Sequence, residues 1–334
     1  MKKIYVLLLS AFIISCSSSS GTMPKDMKKL QMRGVEADSQ LSSIIISVNR
    51  ELRVGYEYFL KGEFQKALRV YKKAAREYMK FDYRHRLATV YSNIGTIYLK
   101  INQLDKARDY ISLSLKLGNE NILGKEERDK LKAVNLYKLA LVNIYEDKSA
   151  KAKKLNDVSF KINSMIFNLK GLAQNYRVYA LLHNKKKEYK KAASVFATAI
   201  TFNQRSYDYY NLVLNRLSLG DVYLKLKEHN KSLYYYNLGL RTAKQREYSE
   251  KISIALYKIG NLFEKKKDYK KALEYFKRAH ECDLNLDLDE DLRKVREARS
   301  IEKVKEMYLK LNKAADYQKY TEIIKFFYYN RLQE

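Results

Sequence analysis

Residues Lys267-Asp268-Tyr269-Lys270-Lys271-Ala272-Leu273-Glu274-Tyr275-Phe276-Lys277-Arg278-Ala279 read as a short turn followed by an amphipathic helix. Ala272, Phe276 and Ala279 stand three or four residues apart, so they share one helix face. A small-aromatic-small stripe lets a neighbouring helix approach closely and fills the remaining gap with a ring. The arrangement returns as Gly62-Glu63-Phe64-Gln65-Lys66-Ala67-Leu68, followed by Tyr71 and Ala74. It returns again as Lys187-Glu188-Tyr189-Lys190-Lys191-Ala192, followed by Phe196 and Ala199. Recurrence of this kind predicts stacked helical units that bury a core only by packing on their neighbours.

Outward from each copy, a second helix precedes the turn. It carries a glycine with an aromatic residue three positions on: Gly55 with Tyr58, Gly95 with Tyr98, Gly220 with Tyr223, Gly260 with Phe263. Ala140 and Ala180 hold the glycine's place in the third and fourth units. The following helices supply Ala107, Ile111 and Ser114 in the second unit and Ser232, Tyr236 and Gly239 in the fifth. The third unit is the weakest, with only Ala152 and Ser159. A glycine inside a helix costs about 1 kcal/mol relative to alanine, so close packing between the two helices must offset it.

From Val48 to Ala279 this pattern resembles the tetratricopeptide repeat. Two features depart from that family. The closing proline is missing from every unit, and the marker positions 55, 95, 140, 180, 220 and 260 recur at about 40 residues rather than the usual 34 or so. Each helix pair must therefore be longer by nearly a turn or carry a longer connector. Such lengthened repeats resemble those of bacterial signalling adaptors and kinesin-light-chain-like proteins. The resemblance implies an all-α, right-handed superhelical solenoid with a concave face.

Composition agrees with an all-helical chain. Pro24 is the one proline in 334 residues, so nothing after it forbids helix. The formal net charge is +28. Its lysines are spread along most helices, which reads as solvated faces, and no zinc-finger spacing or RNP-like motif points to nucleic acid.

At the N-terminus, Met1-Lys2-Lys3 is a short positive segment and Ile4 to Ile14 an apolar run of signal-peptide length. It ends in Ile13-Ile14-Ser15-Cys16, which resembles a bacterial lipobox. The resemblance implies cleavage before Cys16 and acylation of that cysteine, which gives lasting membrane attachment through two or three chains. Ser17 to Pro24 then forms a small, polar tether. Serine after the cysteine favours the outer membrane, with the side left open. The expected boundaries are 1–15 for the signal peptide, 16–25 for lipidated cysteine and tether, and 26–47 for an N-terminal helix. Residues 48–284 then hold six repeats, and 285–334 a degenerate seventh repeat and C-terminal cap. The apolar run Phe326 to Tyr329 reads as a core-facing cap or a homo-oligomer contact.

No catalytic motif is present. The four histidines are dispersed and read as surface or turn residues, and Cys282 reads as a small packing residue. Asp283, Asn285 and Asp287 imitate a calcium loop superficially, but Leu288 replaces the loop glycine and Lys294 the closing glutamate. No metal or cofactor is expected. In the resembled family the inner helices line a peptide-binding groove. Carried onto this chain, that face holds Lys100, Arg177, Lys185, Lys225, Tyr257, Asn261 and Lys265, beside Thr96, Leu99, Leu181, Asp221 and Leu224. The recurring lysines read either as a basic ladder for an acidic segment or as cations suited to helix C-termini. The family's carboxylate clamp is not assembled. The expected function is a non-catalytic, lipid-anchored scaffold at the bacterial cell envelope that binds a protein or peptide. The alternatives are a cytoplasmic peptide-sensing regulator and an electrostatic binder of anionic envelope polymers.

Overall fold

One left-handed residue ends nearly every helix, at Gly62, Asp82, Asn102, Asp147, Phe167, Lys187, Tyr207, Lys227, Glu247, Lys267 and Asn312. These positions lie 20 residues apart, with two longer steps, from 102 to 147 and from 267 to 312. The computed structural model describes residues 43, 45–119, 124–286 and 290–331. The expected signal segment, Cys16 and the expected tether lie outside the described residues, as do the side chains of Phe326 to Tyr329.

From Glu51 onward the described residues pack as one unit of α-helices. They are α1 (51–61), α2 (Phe64–Lys80), α3 (Arg84–Lys100), α4 (Leu104–Asn119), α5 (Lys125–Tyr145), α6 (Ser149–Met165) and α7 (Leu169–Lys185). Then follow α8 (Tyr189–Arg205), α9 (Tyr209–Lys225), α10 (His229–Gln245), α11 (Ser249–Lys265), α12 (Tyr269–Leu284), α13 (Glu290–Lys310) and α14 (Ala314–Arg331). Most are 17 residues long. A 17-residue helix and a three-residue turn make 20, and two of them make the 40-residue repeat. The longer period therefore comes from longer helices, because both kinds of connection are equally tight. The steps of 45 fall before α5 and α13, the two 21-residue helices.

Each turn with a left-handed residue is a Schellman closure. At the end of α2, the Asp82 N–H donates to the Met79 carbonyl (3.2 Å) and the Tyr83 N–H to the Tyr78 carbonyl (2.9 Å). Tyr83 is at the same time the N-cap of α3, so one residue closes a helix and opens the next. The left-handed position is filled by a side-chain-bearing residue everywhere except Gly62. Phe167, with φ 52°, is 86% exposed there.

Odd helices form hairpins with the even helices that follow, and successive odd helices from α3 to α11 also touch one another. The odd helices are thus the inner layer. The glycines behave as the packing argument requires. A Cβ on Gly260 would stand 2.7 Å from Phe276, one on Gly220 2.4 Å from Tyr236, and one on Gly95 2.6 Å from Ile111. Ala67, Ala107, Ala152, Ala192 and Ala272 are fully buried.

The weak third unit packs by other means. Its aromatic place is taken by Asn156, fully buried with Ser159 and Asn175. The Asn175 amide donates to Asn156 Oδ1 (2.8 Å) and Ser159 Oγ (2.9 Å), and Asn163 donates to Asn175 Oδ1 (2.8 Å). Ser159 donates to the Ala133 carbonyl (2.8 Å). Two readings need correction. His280 is no surface residue: it is buried against Ser300 (2.9 Å), and burial pushes it down to about 4. Asp283 sits within α12, accepting from Ser253 (2.5 Å), rather than in a loop. Among the described residues no cluster could hold a metal ion, and no helix is long and apolar enough to cross a membrane.

Candidate functional site

The inner helices α1, α3, α5, α7 and α9 line a half-open cavity of about 240 Å³. Its wall carries six aromatic rings, Tyr56, Phe59, Tyr71, Tyr137, Tyr145 and Tyr210. Four cations, Lys100, Lys138, Lys170 and Arg177, face one carboxylate, Asp208. Asp208 is already engaged as the N-cap of α9, accepting from the Asn211 backbone (3.3 Å) and side-chain amide (2.7 Å), with Lys170 at 3.8 Å.

The deeper cations lean on neutral groups. Lys100 lies over the Tyr210 ring, 5.2 Å from its centroid. Lys138 donates to the Ser92 carbonyl (2.9 Å) and hydroxyl (2.7 Å). Arg177 donates to Asn215 (3.2 Å) and Ser218 (3.4 Å). Burial pushes Lys100 and Lys138 down to about 7, because a charged ammonium loses its hydration there; neighbouring cations add to it. The Tyr210 hydroxyl, on a side chain only 7% exposed, reaches no hydrogen-bond partner.

The cavity is closed on one side by a contact between distant repeats. Phe59 packs on Tyr210 (5.3 Å between centroids), and a Cβ on Gly62 would stand 2.6 Å from Glu250 Cβ. Lys251 also lies over the Tyr210 ring, 5.0 Å from its centroid. Glu250 is buried, pairing with Lys251 and with Arg296 (2.5 Å). Burial raises its pKa, but Lys251, Arg296 and Lys100 outweigh this and hold it at about 2.

The residues carried over from the family fall into three places. Lys100 and Arg177 line the cavity, as do Thr96 and Leu99. Lys185 donates to the Ile144 carbonyl at the C-terminus of α5 (2.6 Å) and pairs with Asp147, while Lys225 reaches Asn184 (3.0 Å) and the Tyr189 ring (5.4 Å). Each thus ties one inner helix end to the preceding repeat. Tyr257 packs between Phe276 (5.3 Å) and Arg299 (4.1 Å), away from the cavity wall; Asn261 is part-buried and Lys265 exposed. Asp221 is engaged by Tyr236 (2.7 Å) and Lys258 (2.6 Å). Sequence reasoning missed Lys138 and Tyr210. Lys138 had a signal, since it interrupts the apolar run Leu136-Tyr137-Lys138-Leu139-Ala140. Tyr210 had none, because its partners come from other repeats.

Models of the tetratricopeptide repeat match residues 88–120 and 210–285. The chain carries tetratricopeptide repeats. Over 101 residues, 30% of the chain, it is 31% identical to anaphase-promoting complex subunit 3 of Schizosaccharomyces pombe. The match spans 13% of that protein's length. Among solved structures it resembles a signal-transduction ATPase with a tetratricopeptide repeat sensor from Pyrococcus horikoshii, with TM-score 0.58 and 17% identity. That likeness covers 80% of this chain and 40% of the other. A Rap protein complexed with Competence and Sporulation Factor gives TM-score 0.55 at 16% identity, covering 79% of this chain and 75% of the other. At these identities the likeness concerns the fold alone, an all-α tetratricopeptide solenoid.

Proposed function

We propose that this chain is a non-catalytic scaffold whose inner helices hold a peptide or protein segment of acidic character. The observation that carries the reading is the cavity wall, where four cations and six rings face one already engaged carboxylate. A photo-crosslinking residue at Gln174, on that wall, captures a partner in this reading, whereas one at exposed Lys161 on the outer helix α6 does not. Equal capture from both positions, or capture from Lys161 alone, contradicts it.

The same proposal includes anchoring through Cys16 at the cell envelope, supported by the lipobox-like Ile13-Ile14-Ser15-Cys16. A clickable fatty acid then labels the wild type and not Cys16→Ala. No label on the wild type, or label that survives the substitution, removes the anchor. A second reading, a peptide-sensing regulator, draws on the contact of Gly62 with Glu250, which a ligand could open or lock. The fold shared with a Rap protein that is complexed with Competence and Sporulation Factor is in keeping with it. Unlabelled protein in the cytoplasm favours that alternative.

A further inference from the structure

We propose that the cavity between α1, α3, α5, α7 and α9 is a site for a small organic anion: a carboxylate or phosphate carried on an aromatic or apolar body. The inference deepens the scaffold reading, on which it rests, by naming what the innermost part of the face accepts.

Three independent observations meet there. The first is charge. Lys100, Lys138, Lys170 and Arg177 outnumber Asp208, the one carboxylate on the wall, and the deeper three lean on a ring, a serine and an Asn-Ser pair. Buried cations are ordinarily met by an anion, since burial strips their hydration. In the neighbouring cluster Lys251 and Arg296 share Glu250, whose field also reaches Lys100 without an ion pair to it. The second observation is the Tyr210 hydroxyl, buried on the wall with its donor unused. Buried donors are almost always satisfied, and an exception calls for an explanation. An anionic oxygen accepts from it, as it does from the ammonium and guanidinium groups.

The third observation is shape. The volume of about 240 Å³ is small for a partner helix, which is about 10–12 Å across with its side chains. Six rings and the amides of Asn93, Gln174 and Asn211 complete a wall suited to an aromatic or apolar body with a few polar groups.

The test is calorimetric titration and thermal unfolding of the full chain with three probes. They are phenyl phosphate, N-benzoylglycine and the tripeptide Ala-Ala-Phe, each beside a neutral counterpart (phenol, N-benzoylglycinamide and the tripeptide amide). The expected result is saturable one-to-one binding of an anionic probe, with a rise in Tm, and at least tenfold weaker binding of its neutral counterpart. Which probe binds separates a free phosphate or carboxylate acid from a peptide end as the source. Tyr210→Phe, which keeps the ring, and Lys100→Met weaken binding at least tenfold with unchanged far-ultraviolet circular dichroism. Lys270→Met, an exposed lysine on α12, leaves it unaltered. The proposal is overturned if no probe binds, if the neutral compounds bind as well, or if Tyr210→Phe binds like the wild type. If no probe binds while crosslinking from Gln174 still captures a partner, the anion site fails and the scaffold reading stands.

Discussion

Asn156 and Phe276 occupy the same place in the repeat, three units apart, and they meet neighbouring helices in opposite ways: Phe276 meets the preceding helix of its own hairpin, Asn156 the first helix of the next. Phe276 is a fully buried ring set against Gly260, where no side chain intervenes. Asn156 faces a unit with alanine at the glycine position and is tied into amides and hydroxyls from α6 and α7. The second helix of a unit thus meets its neighbours either through a ring or through a paired polar network. The two differ in how they fail. A missing ring leaves a cavity, whereas a missing amide leaves buried partners without hydrogen bonds.

The largest expected effects test that difference. Phe276→Ala should cost about 3–5 kcal/mol through lost burial and cavity formation. Asn175→Leu, volume-conserving, should cost about 2–4 kcal/mol because Asn156, Ser159 and Asn163 each lose a partner. Chemical denaturation measures both. If Asn175→Leu proves neutral, the network contributes nothing and the comparison breaks.

A smaller effect, about 1–3 kcal/mol, is expected from Asn156→Phe combined with Ala140→Gly, which imports the C-terminal solution into the middle hairpin. The ring gains its gap, but Asn175 loses an acceptor. A double variant more stable than the wild type would show that the polar network serves something other than packing.

pH separates the regions next. The cavity lysines are Lys100 and Lys138; the latter joins a separate buried polar cluster in the middle of the stack, where the Ser92 hydroxyl accepts from Lys138 and donates to Asn135. Both lysines have a folded-state pKa of about 7, against 10.5 for an unperturbed lysine. Between these values the unfolded chain binds more protons, so stability rises with pH. Tyr56 and Tyr137 stand at about 12 when folded against 10.0 otherwise, mainly through burial. Above about pH 10 the unfolded chain therefore binds fewer protons and stability falls. Tm should climb from pH 7 toward a maximum near about pH 10. In Lys138→Met the climb should shrink. A flat profile would mean that these lysines keep their charge cheaply in the fold.

The smallest effect concerns the turns common to both regions. Phe167→Gly, at φ 52° on an exposed turn, should stabilise by about 0.5–1 kcal/mol, as relief of left-handed strain exceeds the added chain entropy. No gain there would mean the Phe167 ring stabilises the turn in a way its exposure hides.

The repeat and its helices were legible in local spacing. Ala272, Phe276 and Ala279 mark one buried helix face, and Gly220 and Gly260 sit where a ring crosses the neighbouring helix. Each such signal lies within about one helix turn or one repeat, where residue spacing alone sets which side chains share a face. The network around Asn156 was less legible. Polar residues at core positions look like a failing repeat until their partners are known. The candidate cavity was legible only in part. Lys100 and Arg177 follow from their place on inner helices, and Lys138 and Tyr210 do not.

Only the tertiary structure decided what the inner face encloses. Phe59 meets Tyr210, and Gly62 meets Glu250, across some 150 to 190 residues of chain. Such contacts depend on the small rotation between successive repeats, summed over several of them. No local pattern encodes that sum to the accuracy of a side chain. The sequence by itself determined a stack of paired helices with a 40-residue period. The accumulated turn of the stack decided that Lys100, Lys138, Arg177 and Tyr210 share one cavity.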